Sequence, residues 1–150
     1  MPENPILFCT DFSENARVAF THAIRAAQHA PGTELHILHV IPAPDAQYWK
    51  PYIYNTQEDV DTNAKKVFDQ QVKDEYLSQM PEDIKAVPVF RIGQANSEII
   101  KYAEEIHASL IVIGRQGRGA LESLLFGTQA ARIVRKANCP VLVIPQPKKP

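Results

Sequence analysis

Apolar residues in this chain come in two alternating rhythms. Short, nearly continuous runs read as buried strands: Ile6-Leu7-Phe8-Cys9, the stretch 34–40 with Leu35, Ile37 and Val40, the stretch 84–92, the stretch 110–113, and the stretch 139–144. Between them, apolar residues recur at helical spacing. Ala16, Ala19, Phe20, Ala23, Ile24 and Ala27 form one such stripe, opened by Ser13 as N-cap with Glu14 in the first turn and closed by Pro31-Gly32. Residues 58–79 form a polar helix with a partial stripe of Val60, Ala64, Val67, Phe68, Val72 and Leu77, broken by Met80-Pro81. Asn96 or Ser97 is expected to cap a helix carrying Ile99, Ile100, Ala103 and Ile106, and residues 129–137 form the last helix. Pro88 assigns its strand to a sheet edge, and Pro145 stops the final strand.

Strand and helix alternate five times. That order predicts one α/β domain over residues 1–150, with a parallel sheet, helices on both faces and right-handed crossovers. Two stretches stand outside the pattern. Residues 41–57 hold Pro42, Pro44 and Pro51 among Tyr48, Trp49, Tyr52 and Tyr54, and read as a long aromatic loop, either a lid or partner surface or a cover over the sheet edge. The tail 146–150 is expected to be disordered.

Composition narrows the function classes. A formal net charge of −1 speaks against an electrostatic nucleic-acid binder. No apolar stretch approaches the roughly 20 residues that span a bilayer, and the Met-Pro-Glu-Asn-Pro start lacks a signal pattern, so the expected location is cytoplasmic. Cys9 and Cys139 fall at opposite edges of the sheet and are expected to be free thiols. His36 and His39 sit three apart on a strand and point to opposite faces, a poor chelate, while His22 and His29 lack an accompanying ligand set. No metal site built by the protein alone is expected.

The chemistry concentrates after the fourth strand. Gly114 and Gly117 are followed by nine residues and then Gly127-Thr128 at a helix start. Backbone N–H groups approach an anion closely where side chains are absent, and a helix N-terminus favours negative charge, so this segment is a candidate phosphate cradle. Arg115 and Arg118 offer charge-assisted contacts, or stand in solvent. A P-loop would need Gly-Lys-Ser/Thr, and the Lys is missing. The dinucleotide fingerprint follows strand one, whereas these glycines follow strand four. No nucleophile elbow, carboxylate pair or Ser–His arrangement appears, so any hydrolysis should be slow and without a dedicated base.

Three segments give the chain a resemblance to the universal stress protein family: Ile6 to Ser13 with Thr10-Asp11, Leu38-His39-Val40, and the glycine segment with Asn138 to Ile144. The glycine spacing matches the family's nucleotide pattern G-x2-G-x9-G-[S/T], so the chain resembles the ATP-binding branch. The resemblance implies a single-domain three-layer sandwich, a Rossmann-like, adenine nucleotide alpha hydrolase-like fold whose five-stranded parallel sheet has the order 3-2-1-4-5. Ligands of such sheets bind outside the carboxyl ends of the strands where the order reverses. The implied nucleotide-binding residues are Cys9, Thr10, Asp11, Val40, Ile113, Gly114, Arg115, Gly117, Arg118, Gly127, Thr128 and Gln129. Asp11 would meet the ribose or base side, or help hold Mg²⁺, or cap the first helix; backbone groups at Val40 would read the adenine edge. The implied cofactor is ATP or another adenine nucleotide with Mg²⁺, acting as a regulatory ligand in stress response or signalling. The implied partner is a second copy of the chain, paired through Val141, Leu142, Val143 and Ile144 of the last strand, unless Pro140 and Pro145 blunt that edge. Two other readings stay open: a weak ATPase or nucleotidyl-transfer enzyme, and a dimerising protein that binds no nucleotide.

Overall fold

The computed structural model describes residues 4–42, 57–115 and 128–146. Strand β1 (Ile6–Cys9) leads into helix α1 (Glu14–Gln28), β2 (Leu35–Ile41), α2 (Gln57–Glu75), a 3-10 turn (Leu77–Gln79), β3 (Ala86–Ile92), α3 (Ala95–Ile106), β4 (Leu110–Gly114), α4 (Thr128–Lys136) and β5 (Val141–Ile144). All five strands are parallel, in the order β3-β2-β1-β4-β5. β1 lies at the centre, with Ile6 against Leu35 on one side and Leu110 on the other.

The core has two halves, one on each face of the sheet. Phe8, Ile37 and Val112 face α1 and α2, where Ala19, Phe20, Phe68, Val72 and Tyr76 meet them. Leu7, Cys9, Leu38, Ile111 and Ile113 face α3 and α4, against Ile99, Tyr102, Ala103, Ala130 and Ile133. Neighbouring strand residues alternate between the two halves, which is why the central strands read as continuous apolar runs. Ser13 caps α1 as expected, its Oγ accepting the Ala16 N–H at 3.2 Å. His36 and His39 do point to opposite faces: His36 bonds Tyr102 of α3, and His39 lies over Phe12 and Phe68.

Several boundaries differ from the sequence reading. β2 runs on through Ile41, so the intervening aromatic stretch begins later. The polar helix ends at Glu75, because Tyr76 leaves helical geometry and the chain tightens into the 3-10 turn. Val67 is 66% exposed rather than part of the buried stripe. β3 starts at Ala86; Ile84 is buried in the turn before it, where its N–H donates to Pro81 O. Pro88 pairs with Ile37 on an edge strand, as its missing N–H requires. Cys139 and Pro140 precede β5 rather than join it. The aromatic stretch Tyr48 to Tyr54, the loop glycines and the last four residues lie outside the described residues.

No described helix is long and apolar enough to cross a membrane. Among the described residues no group of three or more His, Cys, Asp or Glu is placed to hold a metal ion.

Candidate functional site

The sheet order reverses between β1 and β4, and open α/β sheets bind ligands outside the carboxyl ends of their strands at such a switch point. Two chain segments adjoin it: the turn from β1 to α1, and the chain beyond Gly114, described again from Thr128 onward.

The first segment is tightly determined. Thr10 is buried and every polar group it has is engaged. Its N–H donates to Leu38 O at 2.8 Å, its carbonyl accepts from His39 Nδ1 at 2.8 Å, and its hydroxyl accepts the Phe12 N–H at 2.9 Å while sharing a short hydrogen bond with the Tyr76 hydroxyl. Phe12 has φ 62°, a left-handed conformation that costs a side-chain-bearing residue roughly 1–2 kcal/mol. Its buried ring sets that cost against packing on His39, Tyr76 and Phe68, with centroids at 4.8, 5.8 and 6.3 Å. Asp11 stands between these two fixed residues, half-buried, with Oδ1 accepting the Ser13 N–H at 2.9 Å. The carboxylate thus braces the entry to α1, which is the capping use the sequence allowed.

The second segment is pinned at both ends by buried asparagines. Gly114 closes β4 against α1: a Cβ there would lie 3.1 Å from Asn15 Cγ and 3.2 Å from the Asn15 carbonyl oxygen. Asn15 Nδ2 donates to Ile144 O at 3.1 Å, and the Arg115 N–H donates to the same carbonyl at 2.7 Å. Gly114 therefore has a packing reason to be glycine, independent of any ligand. At the far end, Asn96 Nδ2 donates to Gln129 Oε1 at 3.0 Å, tying α3 to the first turn of α4. This corrects the capping role expected of Asn96: α3 begins at Ala95 behind Gln94, and Asn96 is buried between helices instead.

The remaining expected residues fall around the same edge. Cys9 ends β1 with its thiol in the core, where burial pushes its pKa up and keeps it protonated. Burial also raises the Cys139 thiol, and both cysteines are free. Val40 lies near the end of β2, half-buried against the second core half, and Ile113 is buried in it. Arg115 is exposed just beyond β4. Thr128 opens α4, whose first turn holds no acidic residue, whereas α1 has Glu14 and α3 has Glu98 there. The positive end of α4 is thus left without a carboxylate of its own helix. Gly117, Arg118 and Gly127 lie outside the described residues.

Asn15, Asn96 and Tyr76 were not singled out as site residues from the sequence. The usable signal was the presence of asparagine just inside two amphipathic helices, at positions flanking the crevice.

A parallel sheet of order 3-2-1-4-5 with helices on both faces defines a Rossmann-like α/β protein. The pattern of the universal stress protein family matches residues 3–145, and the chain belongs to that family. Universal stress protein MJ0577 of Methanocaldococcus jannaschii is 27% identical over 93% of both chains. Universal stress protein MJ0531 of the same organism is 30% identical over 96% of this chain and 83% of its own. The solved structure of MJ0577 superposes with a TM-score of 0.81 at 23% identity, covering 99% of this chain and all of that one. A universal stress protein of Archaeoglobus fulgidus in complex with dAMP superposes at 0.64 with 22% identity, covering 96% of this chain and 99% of that one.

Proposed function

We propose that this protein binds an adenine nucleotide, ATP with Mg²⁺, in the crevice between the carboxyl ends of β1 and β4. ATP would serve as a regulatory ligand in stress response or signalling, with slow hydrolysis at most. One observation carries this reading: the sequence pattern Gly114-x2-Gly117-x9-Gly127-Thr128 starts on the last residue of β4 and ends on the first residue of α4, and β4 flanks the switch point. Backbone N–H groups along the glycine segment and at the α4 start suit phosphate oxygens, with Thr128 as a hydroxyl partner and Arg115 and Arg118 as charge. Cys9, Thr10, Asp11, Val40 and Ile113 line the base and ribose side, and Gln129 closes the far end. Mg²⁺ would travel with the phosphates, whose charge it offsets. The fold shared with the dAMP complex supports the adenine part of the reading.

The slow-turnover part rests on chemistry. Cys9 is held protonated by burial, and Asp11 is already bonded to the Ser13 N–H. Neither is a ready base for water. The edge strand β5, with Leu142 38% exposed, is the surface we assign to pairing with a second copy.

The test is direct. Protein purified and denatured should release adenine nucleotide detectable by mass spectrometry, and calorimetry should show ATP–Mg²⁺ binding that Gly117→Val abolishes with the fold retained. A protein that fails to bind millimolar ATP would sink the reading. Turnover well above roughly 1 s⁻¹, ordinary for enzymes, would favour an ATPase instead.

A further inference from the structure

The hydroxyl of Tyr76 is buried and bonded to Thr10, next to Asp11 on the turn after β1. We propose that Tyr76 is a positioning residue for the nucleotide: through the Thr10 hydroxyl it holds the left-handed turn at Phe12 and so fixes the direction in which Asp11 is presented. This inference rests on the nucleotide reading above and adds a residue to it.

The geometry separates the ring of Tyr76 from its hydroxyl. The ring is fully buried, stacked on Phe12 and packed on Phe8 and Phe20 with centroids at 5.4 and 4.6 Å. A phenylalanine would supply all of those contacts. What it would lack is the bond to Thr10, and a hydroxyl is carried into a core only where it finds a partner. Thr10 passes the constraint on, because the same oxygen accepts the Phe12 N–H. His39 fixes the turn from the other side, donating to the Thr10 carbonyl and covering the Phe12 ring. The adjacent Glu75 pairs with Arg17 of α1. The residues before and after Asp11 are both held, so any ligand contact it makes inherits that backbone geometry.

Isothermal calorimetry with ATP and Mg²⁺ on the full chain tests this, together with thermal melts. Tyr76→Phe and Thr10→Val should each weaken ATP binding about fivefold, the scale of one buried hydrogen bond. The double variant should lose no more than Thr10→Val alone, because the Tyr76 hydroxyl reaches the turn only through Thr10. Val72→Ala, in the same core half but outside the chain of bonds, should lower the melting temperature and leave affinity unchanged. Wild-type affinity in Tyr76→Phe would overturn the inference, and so would an equal loss in Val72→Ala, which would reduce Tyr76 to general packing. Absence of ATP binding in the wild type would instead sink the nucleotide reading itself.

Discussion

Gly114→Ala distinguishes the two reasons a glycine can stand at the mouth of the crevice. Its backbone is not in the left-handed region, so alanine meets no conformational penalty there. The obstacle is Asn15: the new Cβ would sit 3.1 Å from its Cγ and 3.2 and 3.3 Å from its backbone O and C. Those backbone atoms belong to the first turn of α1 and cannot swing aside as a side chain would. Relief requires α1 to move from β4, and the bond from Asn15 Nδ2 to Ile144 O, 3.1 Å long and buried, is the first to stretch. Losing it deprives the buried Asn15 amide of that acceptor, at about 1–3 kcal/mol, while Ile144 O keeps the Arg115 N–H. Alanine returns about 0.4–1 kcal/mol by restricting the unfolded chain. The net expectation is about 1–2 kcal/mol of destabilisation, or about 2–8 °C in melting temperature for a domain of this size. Urea and thermal unfolding of nucleotide-free protein give the number. Repeating the substitution in an Asn15→Ala background should recover part of the loss, because one of the three close contacts is gone. A Gly114→Ala protein as stable as wild type, with or without Asn15, would refute the packing argument and leave ligand approach as the only reason for this glycine.

Two further outcomes follow from the same structure. Burial pushes the Tyr76 phenol from its ordinary 10 up to about 12, with the Thr10 hydrogen bond opposing and the Glu75 and Asp11 charges adding. The stabilisation this represents is complete below pH 10 and is lost as pH rises from 10 to 12, roughly 3 kcal/mol in all; stability measured against pH should therefore fall more steeply in that window for wild type than for Tyr76→Phe, and parallel curves would contradict the assignment. Leu142→Glu on the exposed face of β5 should convert a dimer to monomers in sedimentation velocity, whereas a monomeric wild type would dispose of the pairing surface.

Much of the architecture was legible because it is written in local patterns. Ile6 to Cys9 and residues 110–113 are apolar at every position, as strands covered on both faces must be, and Pro88 marked its edge because proline lacks the donor an interior strand needs. Ser13 was readable as a cap since capping is decided within one helical turn. The residues that escaped are those whose surroundings come from distant chain. Asn96 near a helix start has the chemistry of a cap, but its amide is claimed by Gln129, 33 residues on. Tyr76 falls inside the polar helix expected over 58–79 and outside its apolar stripe, and its partner Thr10 lies 66 residues earlier. Phe12 carries no local sign of a positive φ, because the aromatic rings that hold it there come from β2, α2 and the turn after it. For the candidate site the glycine spacing and Asp11 were visible in the sequence, and the layer of buried hydrogen bonds that holds them was not.

The central place of β1 also sets a schedule for making this protein. On one edge β1 meets β2, whose partner residues follow within about 30 positions, and on the other it meets β4, where Ile6 pairs with Leu110. A ribosome adding about 5–20 residues per second needs roughly 5–20 s to travel from the first of these strands to the fourth. During that interval β1, β2 and β3 can pair among themselves, while the second edge of β1, apolar at all four positions, is bare to anything able to add a strand. The growing chain is therefore most exposed to misassociation in mid-synthesis. A nascent chain stopped short of residue 110 already contains Asp11 and the turn that aims it, yet has no second wall against which a ligand could be held.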